Sequence, residues 1–308
     1  MQLIRKCNFN RSEIKQAVLA LGNFEGLHLG HQALLEETRK HAKQLGVPAA
    51  VMTFEPHPLT LLRKQKQVKI FSLSAKIKFI KEQGIDILYL LNFNQELANL
   101  TATEFLEKIL LAQLEIKKIV VGHDFIFGKN RTGNAEFLAQ AAEEYGFAFT
   151  QIKPHKLAAT DLIYSSTAIR EALNNADLNL VKQLLGKNYF ISGRVIKGQQ
   201  LARDLGYPTA NIALGDLYRP KFGVYAAKIT VGEKIYQAVA NLGIKPTFAN
   251  EEPLLEVHLF DFAGELYGQK IKVELLKYLR AEQKFGDMMM LTKQIAQDVK
   301  DAQKFFHG

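Results

Sequence analysis

From residue 16 to about residue 152 short β-rich runs alternate with helical stretches, and beyond residue 188 strand candidates follow one another with little helix between them. The first pattern dictates a parallel sheet with crossover helices, and the second an antiparallel barrel or sandwich. The early runs are 17–21, 49–54, 85–93, 118–122 and 147–152. Between them, 31–45 ends at Gly46 as a helix should, 74–83 ends at Gly84, and Thr101-Ala102-Thr103-Glu104 has the form of a capping box. The first half is therefore read as a doubly wound α/β domain. Around Leu185-Gly186-Lys187-Asn188 the periodicity changes, which places domains at 1–186 and 187–308. The later strand candidates are 189–196, 224–231, 235–242, 254–262 and 271–276, with a hairpin at Gly232-Glu233-Lys234 and a last helix over 287–306.

Two domains also suit a length of 308 residues. A net charge of +9 fits an enzyme with phosphorylated substrates, and it fits RNA binding too, although no basic block marks a nucleic-acid tail. The single cysteine, Cys7, excludes an internal disulfide framework. No run approaches the roughly 18 apolar residues of a membrane span, and the N-terminus lacks a long apolar stretch after its basic residues. A cytoplasmic location, without membrane or nucleic-acid partner, is expected.

In doubly wound sheets ligands sit beyond the carboxyl ends of the strands. After the first run comes Gly22-Asn23-Phe24-Glu25-Gly26-Leu27-His28-Leu29-Gly30-His31, a strand–turn–helix passage. Gly22, Gly26 and Gly30 let backbone N–H groups approach a phosphate, and His28 and His31 fall together where the helix begins. Imidazoles there suit phosphoryl or nucleotidyl transfer, by stabilising charge on a pentavalent phosphate. A zinc-protease reading fails, because the second-position Glu and the i, i+4 histidine spacing are missing. Tyr164-Ser165-Ser166-Thr167-Ala168-Ile169-Arg170 opens another helix with hydroxyls and a guanidinium suited to phosphate oxygens. In the second half, the segment from Gly193 through Gly198, Arg203, Pro208, Thr209 and Asn211 combines glycines with oxygen-bearing side chains suited to Mg²⁺ and phosphate.

These passages, with Thr53-Phe54-Glu55-Pro56-His57-Pro58 and Gly122-His123-Asp124-Phe125-Ile126-Phe127-Gly128, resemble the four motifs of the FMN adenylyltransferase module of the bacterial bifunctional riboflavin kinase/FAD synthetase family. Pro208-Thr209-Ala210-Asn211 resembles the signature of its riboflavin kinase module, and the likeness extends over about residues 14–306. The resemblance implies a Rossmann-like nucleotidylyltransferase domain with an H-x-G-H motif, followed by an antiparallel β-barrel kinase domain with a terminal helix. Its substrates and products would be ATP, riboflavin, FMN and FAD, with Mg²⁺ as cofactor. It implies catalytic roles for His28, His31 and Arg170 in adenylylation and for Glu256 as kinase base. Gly22, Asn23, Phe24, Glu25, Gly30, Ser166 and Thr167 would bind the first ATP. Gly198, Arg203, Pro208, Thr209 and Asn211 would bind the second, with Thr209 and Asn211 at the metal. Asp124, Phe125 and Phe127 in one domain, and Arg280 and Glu282 in the other, would border flavin.

Four positions depart from the family pattern: Glu25 for Asp, Ala202 for Gly, Lys245 for Arg and Glu265 for Asp. They keep a narrower reading open, an adenylyltransferase with an impaired kinase loop. A non-catalytic RNA-binding or regulatory protein on the same fold is the remaining alternative. Sequence leaves the oligomeric state undetermined.

Overall fold

A computed structural model describes residues 1–5, 16–62, 68–158, 160–197, 207–244 and 253–307. Contacts divide it into two compact units, Met1–Gln67 with Leu73–Ser165, and Val68–Ser72 with Ser166–Gly308.

The first unit is built on strands β1 (Gln2–Ile4), β2 (Val18–Leu21), β3 (Ala49–Glu55), β4 (Ile87–Asn92), β5 (Lys118–Gly122) and β6 (Ala148–Ile152). They pair in parallel in the order β1-β4-β3-β2-β5-β6. All four residues of β2 are buried, as expected of a continuous apolar run covered on both faces. From β2 the chain winds outward through β3 and β4, then crosses to the other flank of β2 as β5, with Val18 registered on both Ala49 and Lys118. The direction of winding therefore reverses between β2 and β5, and this is the position where open α/β sheets bind ligands.

Leu19, Leu21, Met52 and Tyr89 pack one face of this sheet against Leu106, Leu110 and Leu138. The helix expected at 31–45 spans Leu29–Leu45 and stops at Gly46, whose φ of 65° closes the C-terminus. The helix expected at 74–83 is Leu73–Glu82. The Thr101–Glu104 capping box forms, and the chain continues into a π-helix over Phe105–Leu111. Strand β1 and the helix Ala135–Tyr145 were not anticipated.

In the second unit β7 (Phe190–Ile196), β8 (Ala210–Ala213), β9 (Gly223–Val231), β10 (Lys234–Ile244), β11 (Pro253–Leu259) and β12 (Lys270–Arg280) close an antiparallel barrel in the order β10-β11-β8-β7-β12-β9. Of the two architectures open to the sequence, the barrel is the one formed. Gly232, at φ 59°, turns β9 into β10. The terminal helix runs Met288–His307 and buries Ala302 against Val224, Ala226 and Val239. Val68–Ser72 is part of this unit: Lys69 donates its N–H to Asp216 at 2.8 Å, and Tyr218 donates to the Lys69 carbonyl at 2.7 Å.

Candidate active sites

The loop after β2 carries Phe24 at φ 49°, Gly26 at 78° and Leu27 at 50°. Two non-glycine residues in the left-handed region cost about 1 kcal/mol each, and burial of both side chains holds them there. The Asn23 carbonyl accepts from Thr53 Oγ1 at 3.0 Å and from Lys76 Nζ at 2.9 Å. Glu25 is buried.

His28 is the N-cap of Leu29–Leu45, its Nδ1 accepting the His31 N–H at 3.3 Å. Its ring stacks on that of His31, centroids 3.7 Å apart and planes at 21°. Burial pulls the pKa of His28 down to about 4, partly opposed by Asp124. His31 is pushed well below its ordinary value by burial, then by His28 and Lys76. Both rings are therefore neutral near pH 7. Because Nδ1 of His28 is an acceptor, the proton of the neutral ring resides on Nε2, which makes that nitrogen the donor.

Beyond β5, on the opposite side of the reversal, lie Asp124, Phe125 and Phe127. Asp124 is exposed, with its Oδ1 4.0 Å from Nδ1 of His123. Its charge is felt at His28 on the loop after β2. Phe125 stacks on Phe127 at 5.5 Å and 18°. Phe127 also packs against Phe105 and Phe137, and it exchanges backbone hydrogen bonds with Gly133, where a Cβ would lie 2.5 Å from the Phe127 ring. Phe127 thus braces the loop, and the half-buried Phe125 lies at its margin.

Ser166, Thr167 and Arg170 open the helix Ser166–Asn174, which contacts assign to the second unit. There Arg170 Nη2 donates to the Val68 carbonyl at 3.3 Å, and its guanidinium lies 5.9 Å from the Tyr218 ring centre.

In the barrel, Glu256 on β11 is registered with Asn211 on β8 and with Asn241 on β10. Directly opposed residues face the same side of a sheet, so the three side chains form one row. Asn211 is 5 % exposed and Glu256 is half-buried. Glu282 accepts from the Asn241 side chain and the Ile244 N–H. Desolvation raises the Glu282 pKa; the nearby Glu256 charge acts the same way, while those hydrogen bonds and Arg280 oppose it. Gly243 makes room for this carboxylate, since a Cβ there would fall 1.6 Å from Glu282 Oε1. Beside the row, the His258 ring donates from Nδ1 to the Pro208 carbonyl at 2.9 Å, fixing the approach to Thr209.

Arg280 makes two 2.6 Å hydrogen bonds to the buried carboxylate of Asp298, on the terminal helix. Gly198, Arg203, Ala202 and Lys245, like Cys7, lie outside the described residues. Lys76, Asn241 and Asp298 carry no site signal of their own in the sequence. Asn241 could have been found by registering the strand carrying Glu256 against its neighbour.

The paired histidines at the reversal point of the sheet, and the barrel row of Asn211, Glu256 and Asn241, are the marks of a two-domain phosphate-transfer class of protein: an H-x-G-H α/β domain joined to an antiparallel barrel. The FAD synthetase family model matches residues 10–168 and the riboflavin kinase family model residues 185–306. A bifunctional riboflavin kinase/FMN adenylyltransferase of Haemophilus influenzae is 40% identical over 310 residues, covering 100% of both chains. One from Bacillus subtilis is 39% identical over 302 residues, covering 96% of this chain and 94% of the relative. A Streptococcus pneumoniae crystal structure, described as that of a macrolide-efflux protein, aligns with a TM-score of 0.84 at 30% identity, covering 98% and 99%. The chain belongs to the bifunctional riboflavin kinase/FMN adenylyltransferase family.

Proposed function

We propose that the chain makes FAD from riboflavin in two ATP-dependent steps, with residues 187–308 forming FMN and residues 1–186 adenylylating it. The FAD synthetase model, ending at residue 168, and the riboflavin kinase model, beginning at residue 185, support that order of the two activities. The observation that carries the reading is the coexistence of a stacked His28–His31 pair at a helix start in one unit and of Glu256 registered with Asn211 in the barrel of the other.

In the first step Glu256 takes the proton of the ribityl 5′-hydroxyl as that oxygen attacks the γ-phosphorus of ATP, and ADP departs. Asn211 and Asn241 flank Glu256 in the register of the three strands. Thr209 and Asn211 offer hard oxygen donors beside the reacting row, a donor set that fits Mg²⁺ carried in on ATP phosphates. The bound ion would neutralise phosphate charge. Gly198, Arg203 and Pro208 are assigned to ATP binding, and Glu282 and Arg280 to the flavin border, by the motifs in which they stand.

In the second step a phosphate oxygen of FMN attacks the α-phosphorus of another ATP, and pyrophosphate leaves. The loop from Gly22 to Gly30 receives the triphosphate, His28 donates from Nε2 to the oxygens gaining charge, and His31 supports that ring. The hydroxyls of Ser166 and Thr167 and the guanidinium of Arg170 are chemically suited to phosphate oxygens of ATP. Asp124 and Phe125 lie toward the flavin, with Phe127 behind them. We place the protein in the cytoplasm, with no nucleic-acid or membrane partner; no described helix is long and apolar enough to cross a membrane. Supplying riboflavin or FMN separately with ATP and Mg²⁺, and resolving the products, tests the two steps independently.

A further inference from the structure

Lys76 stands outside every motif that identifies the adenylyl-transfer site. It is 6 % exposed, on the buried face of the helix Leu73–Glu82 together with Phe79 and Ile80. Lysines are rarely buried to this degree, and Lys78, two residues on, points to solvent and pairs with Glu82. A positive charge taken out of water is costly unless polar groups receive it. Lys76 delivers one of its protons to the Asn23 carbonyl at 2.9 Å, the acceptor already used by Thr53 at 3.0 Å.

Asn23 immediately precedes Phe24, the first left-handed residue of the phosphate loop. Two donors on one carbonyl fix the plane of the Asn23–Phe24 peptide, and with it the direction of the Phe24 N–H. We propose that Lys76 is a positioning residue for adenylyl transfer, its ammonium clamping the Asn23 carbonyl and setting a fixed positive charge behind the Gly22–His31 loop. The inference rests on the adenylyltransferase reading.

The fixed charge matters because the two histidines supply none of their own at neutral pH. His31 faces the His28 ring, the Phe24 ring at 5.3 Å and the field of Lys76, while His28 also feels Asp124 from the loop after β5. Removing the Lys76 charge lets His31 take up a proton more readily. The acid limb of FAD formation then moves toward neutral pH, an effect that loss of packing alone does not produce.

The test compares Lys76→Met and Lys76→Arg in the full chain. FAD formation from FMN, ATP and Mg²⁺ is followed from about pH 5 to 9, with FMN formation from riboflavin as the measure of an intact chain. Lys76→Met is expected to lower kcat/KM for ATP in FAD formation about tenfold or more and to shift the acid limb upward, leaving FMN formation within about twofold. Lys76→Arg is expected to keep the limb where it was. An unshifted limb in Lys76→Met, an equal shift in Lys76→Arg, or parallel loss of both activities overturns the proposal. Unmutated protein that makes no FAD from FMN overturns the adenylyltransferase reading itself, and is told apart from these outcomes before any variant is scored.

Discussion

A Cβ placed on Gly30 would lie 3.1 Å from Nδ1 of His28, the atom that receives the His31 N–H. The glycine of the H-x-G-H sequence is thus a condition for where the first histidine rests. Gly30→Ala is expected to displace the His28 ring and reduce FAD formation about ten- to hundredfold, with FMN formation unchanged. Steady-state rates for the two products, measured on one preparation, check this.

Gly243 has the same relation to Glu282 in the barrel. Gly243→Ala evicts the carboxylate from its hydrogen bonds to Asn241 and Ile244, beside Glu256. FMN formation from riboflavin is expected to fall about tenfold or more, while FAD formation from supplied FMN persists. Equal loss of both would contradict the assignment of Glu282 to the kinase site.

Asp298 receives Arg280 through two hydrogen bonds at 6 % exposure. Asp298→Ala leaves a guanidinium short of its counter-charge and is expected to destabilise the barrel unit by about 3–5 kcal/mol. Calorimetry should show one of two thermal transitions lowered and the other unmoved.

Neutral, buried histidines tie stability to pH. The folded pKa of His28, about 4, lies below its ordinary 6.5, so between these values the unfolded chain binds more protons. The contribution of His28 is complete above about pH 6.5 and is lost as pH falls toward 4, by something on the order of 3 kcal/mol. His31 adds to it in the same direction. Denaturation midpoints at a series of pH values should drop over this window in the unmutated protein, and His28→Asn should flatten the drop.

The sheet was legible because strands such as β2 and β5 are buried on both faces, leaving uninterrupted apolar runs of the right length. The same rule missed β1, whose Gln2 and Leu3 are exposed, and β8, four residues long after a stretch of turn-forming residues. The histidine loop was legible because its glycines and its strand–turn–helix context are local. Lys76 was not, because a lysine in a helix with Lys78 and Lys81 reads as part of a solvated face, and its partner Asn23 is 53 positions away. Arg280 was expected at the flavin from the motif around it. Its pairing with Asp298 depends on how the terminal helix packs, which periodicity alone does not reveal.

The two chemistries carried by one chain can be separated by substitution. The direct measurement supplies riboflavin, ATP and Mg²⁺ to the unmutated protein, to Glu256→Gln and to the double variant His28→Ala with His31→Ala, and resolves the flavins by chromatography. The unmutated protein should make FMN and then FAD. Glu256→Gln should make neither product yet still convert supplied FMN to FAD, and the histidine variant should accumulate FMN alone. Unmutated protein that yields no phosphorylated flavin, or a Glu256→Gln variant that still phosphorylates riboflavin at the full rate, would show that these residues do not carry the two chemistries.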